Sequence, residues 1–220
     1  MQITPEMIRN SEDIRVYIAC ADESMKAMGY TEHSFAHVTK VAEEAKRLLS
    51  AFGADVRTQE LGWIAGYMHD IGNVVNRTDH AQSGALMTFR ILDKMGMDPK
   101  ETAMVVTAIG NHDESTAYPV NAVAAALILA DKTDVRRSRV RSSDTHEFDI
   151  HDRVNYAVTT SRLDINADEK RITLHLTIDD HISSVADYFE IFLGRMLLSR
   201  KAAQRLGAEF SLYINGQMLM

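Results

Sequence analysis

The segment from Thr58 to Asp70 is apolar nearly all the way around and ends in an adjacent imidazole and carboxylate, His69 and Asp70. A helix that is hydrophobic on every side is expected to be buried. A charged group at the end of a buried helix is costly unless it is paired. The fold must therefore either enclose a partner for this pair, such as a metal ion, or leave the pair at the surface. In the surface case, His69 would lie at the negative end of the helix dipole beside an exposed carboxylate.

The rest of the first two-thirds of the chain also has helical patterning, with clear boundary residues. Ser11, Asp98 and Asn121 are predicted to cap helices, and Asp98 is followed by Pro99, a residue favoured in the first turn. The predicted helices run from about Ser11 to Gly29, Thr31 to Phe52, Thr58 to Asp70, His80 to Met95, Pro99 to His112 and Asn121 to Thr133.

The pattern changes after about residue 145, where apolar and polar residues alternate with a period of two. This alternation predicts strands with one buried face. Strands are predicted at Arg162–Asn166, Arg171–Ile178 and Phe210–Ile214, with a helix at about Ser184–Leu206 before the last one. The sequence thus predicts a mainly α protein, a helical domain over residues 1–145 and a small C-terminal α+β unit of β-β-α-β order over residues 146–220.

Composition narrows the function classes. The one cysteine, Cys20, excludes an intramolecular disulfide and a cysteine-based zinc site, and favours a reducing, cytoplasmic location. The N-terminus lacks a signal-peptide pattern, and the longest apolar stretch, residues 122–130, is shorter than the roughly 20 residues that span a bilayer. A net charge of −7 argues against broad nucleic-acid binding. Neither a membrane nor a nucleic acid is therefore an expected partner.

Further metal-ligand side chains occur along the helical part. His33 and His37 are four residues apart, which places them on the same face of one helix. His80 begins a predicted helix, His112 ends another, and Asp131 lies in a strongly apolar helix. Each has an alternative explanation: exposed histidines near helix ends, or an ion pair between helices for Asp131. A charged aspartate is rarely fully buried without a partner.

Together, these positions resemble the HD superfamily of metal-dependent phosphohydrolases, with a match spanning roughly residues 30 to 135. The matching motifs are His37-x-x-x-Val41-Ala42, Met68-His69-Asp70-Ile71-Gly72, His80-x-x-x-Gly84-Ala85, His112-Asp113-Glu114 and Ala130-Asp131-Lys132. The resemblance implies an HD-domain helical bundle.

The resemblance also implies a ligand set. One metal would be bound by His37, His69, Asp70 and Asp131. Asp70 would bridge to a second metal bound by His80 and His112, to give a binuclear centre in which Asp70 and His69 are the catalytic pair. His33 and Asp113 are candidate additional ligands. Imidazoles and carboxylates without thiolate suit Mn²⁺, Fe²⁺, Zn²⁺, Co²⁺ or Ni²⁺ better than Mg²⁺.

The implied reaction is hydrolysis of a phosphate ester, a nucleotide or a small phosphoester, by a metal-activated hydroxide. Phosphate binding needs cations, and the candidates are Arg77, Lys132 and the cluster Arg136, Arg137, Arg139 and Arg141. The alternative for the arginines after residue 135 is a solvated loop. Asn73 and Asp113 depart from the pattern of cyclic-dinucleotide phosphodiesterases in this superfamily, so that activity is not expected.

Two other functions fit parts of the same pattern. An HD-type di-iron oxygenase would use the same ligand set, and a non-catalytic metal-binding signalling module would need only part of it. The C-terminal unit has no catalytic motif. We expect it either to cover the site or to form the contact of a homodimer.

Overall fold

The computed structural model describes residues 2–141 and 149–220. Within them the chain forms nine α-helices and a four-stranded sheet, so the predicted mainly α fold with a small C-terminal sheet is confirmed. The helices are α1 Pro5–Asn10, α2 Glu12–Ala27, α3 Phe35–Ala51, α4 Val56–Met68, α5 His80–Lys94, α6 Pro99–Gly110, α7 Ala122–Lys132, α8 Ile150–Ala157 and α9 Val185–Arg205. The strands are β1 Val158–Asn166, β2 Arg171–Ile178, β3 Glu209–Ile214 and β4 Gln217–Met218. Two short 3-10 turns cover Ile71–Val74 and Arg137–Arg139.

The predicted capping residues begin their helices as expected. The side chain of Asn121 accepts a hydrogen bond from the backbone N–H of Ala124 at 2.8 Å. Asp98 accepts one from Lys100 at 2.9 Å, and Ser11 caps α2. These bonds satisfy N–H groups that the first turn of a helix cannot satisfy internally.

Helices α4 and α7 form the centre of the molecule. Residues 123–130 of α7 are all at most 2% exposed, because α3, α4, α6 and α9 pack around this helix. The polar groups at the ends of α4 and α7 are therefore buried with them. None of the helices in the described ranges has both the length and the apolarity needed to cross a membrane.

The C-terminal sheet is joined to the helical bundle through α9. Its strand order is β1-β2-β3-β4, with β1 and β2 antiparallel, β2 and β3 parallel, and β3 and β4 antiparallel. The connection between the parallel strands is α9, which packs on β3 and also on α7. The predicted β-β-α-β order is therefore present, with β4 added.

Two α-helices and one strand were not predicted, and another strand starts earlier than expected. The missed elements, α1, α8 and β4, contain six, eight and two residues, too few to show a clear period. Strand β1 begins at Val158 rather than Arg162, and an irregular register between Val158 and Thr160 interrupts its alternation. The predicted domain boundary at residue 145 lies outside the described residues, and the division into two domains stays a prediction.

Two glycines allow the helices around the centre to approach closely. A Cβ atom on Gly66 of α4 would lie 2.7 Å from the Cα of Ala42 on α3. A Cβ on Gly72 would collide with the backbone carbonyl of His80. Both contacts are to backbone, which cannot move aside as a flexible side chain can, so the spacing of α3, α4 and α5 depends on these glycines.

We predict that Gly66→Ala lowers the free energy of unfolding by about 1–3 kcal/mol, the usual cost of overpacking a core. Gly194→Ala on α9 is the matched control, because nothing lies within 4 Å of the added Cβ. It should leave stability unchanged or raise it by up to about 1 kcal/mol, since alanine favours helix. Urea denaturation of both variants measures this, and equal stabilities would contradict the close contact of α3 and α4.

Candidate metal centre

Five helices bring their ends together around a buried cluster of imidazoles and carboxylates. His37 lies in the first turn of α3, and His80 is the first residue of α5. His69 directly follows α4 and His112 follows α6, while Asp131 lies at the end of α7. The histidines are at most 3% exposed, and Asp70 is 4% exposed.

One side of the cluster is formed by His37, His69, Asp70 and Asp131. The Nε2 atom of His69 lies 3.1 Å from Asp70 Oδ2 and 3.8 Å from Asp131 Oδ1. The Nε2 atom of His37 lies 3.6 Å and 3.4 Å from the same two oxygens. Two ring nitrogens and two carboxylate oxygens thus face one point, as the resemblance implies for the first metal.

The other side is formed by His80 and His112, with Asp70 shared between the two sides. Asp70 Oδ1 lies 3.6 Å from His80 Nε2 and 4.0 Å from His112 Nε2. Because Oδ2 faces the first side and Oδ1 the second, Asp70 is the residue that can bridge two ions. Three groups of residues have ligating atoms within 4.8 Å of one another. One is on the first side (His37, His69 and Asp70), one is on the second (Asp70, His80 and His112), and one joins the two sides (His69, His112 and Asp131).

The outer nitrogen of each ring has its own hydrogen-bond acceptor. Nδ1 of His69, His80 and His112 each donates to the backbone carbonyl three residues earlier, at 2.8, 3.0 and 2.6 Å. Nδ1 of His37 donates to Asp134 Oδ2 at 2.8 Å. With the proton held on Nδ1, a neutral ring presents the lone pair of Nε2 to the centre, as metal-binding histidines do.

Two of the inner nitrogens lack the partners that buried polar atoms normally have, and the other two lie close to each other. Nε2 of His37 and of His69 is buried without a hydrogen-bond partner. Nε2 of His80 accepts a long hydrogen bond from Arg77 Nη1 at 3.3 Å and lies 3.2 Å from Nε2 of His112, where the lone pairs of two neutral rings would repel each other. A divalent cation would satisfy these nitrogens and also offset the two carboxylates. The residues present therefore fit a metal with nitrogen and oxygen ligands.

At most positions, the pKa values favour the protonation states in which the side chains bind a metal. Burial lowers the pKa of His80, and lowers that of His112 to about 3. Burial opposes ionisation of Asp70 and Asp131, but the neighbouring His69 and Lys132 outweigh it and hold both pKa values well below their usual range. Neutral imidazole and ionised carboxylate are the forms that bind metals.

His69 differs from the other rings of the centre. Burial acts to lower its pKa, but Asp70 and Asp131 outweigh burial and raise it. The carboxylates thus favour a positive charge at this position, which either a proton or a metal ion can provide.

Asp134 belongs to the centre, although the sequence interpretation did not include it. Besides His37, it binds Lys40 Nζ at 2.6 Å and Arg136 Nε at 2.9 Å, and its side chain is 0% exposed. It orients His37 without facing the metal position. Its position beyond the end of α7, which ends at Lys132, gave no periodic signal that could have identified it.

The two candidate additional ligands lie outside the three groups. The prediction that His33 and His37 share a helix face was wrong, because α3 begins at Phe35 rather than at about Thr31. His33 still lies beside His37, with ring centroids 5.5 Å apart, and its Nδ1 bonds to the carbonyl of Thr31 at 2.6 Å. The carboxylate of Asp113 accepts hydrogen bonds from the hydroxyl and the backbone N–H of Ser115. Neither residue is among the groups of close ligating atoms in the described part of the chain.

A cavity of about 130 Å³ reaches the centre at Asp70, His80 and Asp131. Arg77 and Lys132 line it, as do Arg139 and Arg195. The C-terminal unit contributes part of the wall through residues of α8 and α9, which supports the expectation that this unit covers the site. The cavity residues from these helices are His151, Asp152, Asn155, Phe192 and Arg195, with Asp149 at the cap of α8.

Arg136 and Arg137, two of the predicted phosphate-binding residues, are not brought into this cavity. Arg136 pairs with Asp134, and also with Glu32 at 3.3 Å. Arg137 donates to the carbonyl of Tyr156 at 2.5 Å and stacks over its ring. These contacts hold the loop after α7 against the rest of the protein. Arg195, in contrast, was missed because nothing in α9 distinguishes it from the other basic residues of that helix.

Comparison with known proteins finds distant similarities to this chain. An uncharacterised protein of Methanocaldococcus jannaschii is 26% identical over 213 residues, an alignment that covers 86% of this chain and 79% of the relative. A crystal structure described as a predicted HD superfamily hydrolase, from an uncultured Thermotogales bacterium, is 26% identical with a TM-score of 0.44 and covers 60% of this chain and 73% of that chain. No family model matches the chain.

We predict that Asp70→Ala removes most of the metal that the purified protein retains, because Asp70 faces both sides of the centre. Asp113→Ala is the matched control and should retain wild-type metal content. Elemental analysis after dialysis measures both. Wild-type metal content in Asp70→Ala, or equal losses in the two variants, would contradict this ligand assignment.

Proposed function

We propose that the protein is a metal-dependent phosphohydrolase of the HD type. The observation that carries the proposal is the position of Asp70, whose two carboxylate oxygens face separate sets of imidazole nitrogens beside a cavity lined by an arginine. The order of the HD-like motifs along the sequence agrees with this arrangement.

The residues that would hold metal are those described above. His37, His69, Asp70 and Asp131 would hold one ion, and Asp70, His80 and His112 a second. When bound, a divalent transition metal polarises a phosphoryl oxygen and makes water acidic enough to act as a nucleophile at neutral pH. The protein contributes the fixed directions of its ligands and a cavity that positions the substrate beside them.

Arg77 is the best candidate to bind the substrate phosphate. Its Nη1 lies 3.3 Å from His80 Nε2 and 3.4 Å from Asn73 Oδ1, and its guanidinium lies over the ring of Tyr30. None of the ion pairs within residues 2–141 and 149–220 involves Arg77. Its charge therefore remains available to a phosphoryl group, for which a guanidinium offers paired donors.

The other three cations of the cavity are already engaged. Lys132 lies 2.7 Å from Asp131 Oδ2, and Arg195 lies 2.5 Å from Glu114. Arg139 Nη1 lies 3.8 Å from Asp134 Oδ2 and also donates to the backbone carbonyl of Asp134 at 3.0 Å. These contacts reduce the charge that each can offer to a substrate, and leave Arg77 as the principal phosphate contact in our proposal.

The acidic residues on and beside α8 favour a substrate that carries little negative charge beyond one phosphate. Asp149 and Asp152 place carboxylates on the cavity, and like charges repel at short range. A substrate with one phosphate and a neutral organic part fits this distribution better than a nucleoside di- or triphosphate. Nucleoside monophosphates and small phosphomonoesters are thus the first compounds to assay.

We predict that the Mn²⁺-loaded protein releases phosphate from one or more such monoesters under nitrogen. Arg77→Ala should lower kcat/KM by about 10- to 100-fold, mainly through KM, because losing a charge-assisted hydrogen bond costs roughly 1.5–3 kcal/mol and each 1.4 kcal/mol is about tenfold.

Arg171→Ala is the matched control, since Arg171 of β2 pairs with Glu169 in the turn before that strand and does not line the cavity. Steady-state phosphate assays of the three proteins provide the measurement. Turnover that requires O₂ would instead favour the oxygenase alternative, and an unchanged KM in Arg77→Ala would remove the assigned role of this arginine.

A further inference from the structure

A chain of alternating charges connects the C-terminal helix α9 to the metal centre. We propose that Glu114 and Arg195 are positioning residues that act through Lys132 to hold the Asp131 carboxylate in its metal-binding orientation. The inference rests on the metal centre of the proposed function. In it, Lys132 binds the Asp131 carboxylate rather than the substrate phosphate.

The contacts between these charged side chains are short and continuous. Lys132 Nζ lies 2.7 Å from Asp131 Oδ2 and 2.6 Å from Glu114 Oε2. The other oxygen of Glu114, Oε1, accepts from Arg195 Nε at 2.5 Å. The order is carboxylate, ammonium, carboxylate, guanidinium, so each charge lies beside one of opposite sign.

The two carboxylate oxygens of Asp131 make different contacts. Oδ2 is bound to Lys132, while Oδ1 faces Nε2 of His37 at 3.4 Å and of His69 at 3.8 Å. The lysine thereby fixes the rotation of the carboxylate and leaves a single oxygen directed at the metal position.

Glu114 determines how strongly Lys132 competes with a metal cation for the carboxylate of Asp131. The side chain of Lys132 is 4% exposed, so water does little to screen its ammonium. With Glu114 present, the ammonium is shared between two carboxylates. Without the charge of Glu114, the ammonium would be paired with Asp131 alone, and its positive charge would oppose a metal cation at the same carboxylate.

Arg195 keeps Glu114 in place from the opposite side. It lies on α9, its guanidinium also contacts the ring of Phe192 at 4.5 Å, and its side chain is 22% exposed. Removing its charge would leave Glu114 free to rotate away from Lys132. The effect on Asp131 should have the same direction as the loss of Glu114 and be smaller, because Glu114 retains its charge.

The test is the affinity of the metal-stripped full-length protein for Mn²⁺ alone, measured by calorimetry. Glu114→Gln should weaken Mn²⁺ binding by about 10-fold or more, the range found for residues that orient metal ligands. Arg195→Gln should weaken it less, and Arg195→Lys should restore affinity to within about threefold of wild type. The double variant should resemble Glu114→Gln alone, because residues of one network are not additive.

Glu101→Gln is the matched control. It removes one carboxylate from an ion pair with Arg57, and neither residue lies in the centre or lines the cavity. Its Mn²⁺ affinity should equal that of wild type. Thermal unfolding of the metal-free variants establishes that each is folded, and if Glu114→Gln fails to fold, the Arg195 pair carries the test.

The outcomes separate this inference from the proposed function. Wild-type affinity in both Glu114→Gln and Arg195→Gln would overturn the inference, even if the protein hydrolyses phosphomonoesters. Strictly additive effects in the double variant would also overturn it. Weakened affinity in a protein without phosphohydrolase activity would support the inference and reject the reaction. A wild-type protein that binds no Mn²⁺ would overturn both.

Discussion

The buried carboxylate of Asp70 is the group on which the arrangement of the helices depends. Taking an ion of this kind out of water costs several kcal/mol even after the protein relaxes, so compensating groups must surround it. Asn73 Nδ2 donates a hydrogen bond to Asp70 Oδ1 at 2.9 Å, and His37, His69, His80 and His112 each bring a ring nitrogen within 4.0 Å of one of its oxygens. Neutral rings do not offset the negative charge. The remaining lone pairs require a cation, which connects the energetics of the fold to the chemistry of the site.

The polar centre also requires that the helices stay close and in register. Gly66 and Gly72 permit backbone contacts that a side chain would prevent, and the apolar surfaces of α4 and α7 fill the space around them. The stability of the bundle and the precision of the site therefore have a common basis. An outward shift of α3 or α5 would create a cavity in the core and would also move His37 or His80 away from Asp70.

Much of the fold could be predicted from local signals in the sequence, whereas the convergence of six side chains was implied by the resemblance of the ordered motifs to the HD superfamily. Capping residues and apolar periodicity mark the long helices, and the buried context of His69, Asp70 and Asp131 demands partners. The contributions of Glu114 and Arg195 could not be predicted, since their positions depend on how α9 packs against α7. Arg136 and Arg137 show the converse limit: proximity to Asp131 along the chain does not determine which way a side chain points.

The anchoring of the imidazoles has a consequence for how the site is assembled. His69, His80 and His112 are each tied to a carbonyl of their own helix end or turn, so their tautomers and directions are set by local backbone and are preorganised before an ion arrives. His37 is different, because its direction is set by Asp134, which lies 97 residues away in sequence. Three ligands are thus built into local structure, whereas the fourth becomes a ligand only after α3 and α7 have docked.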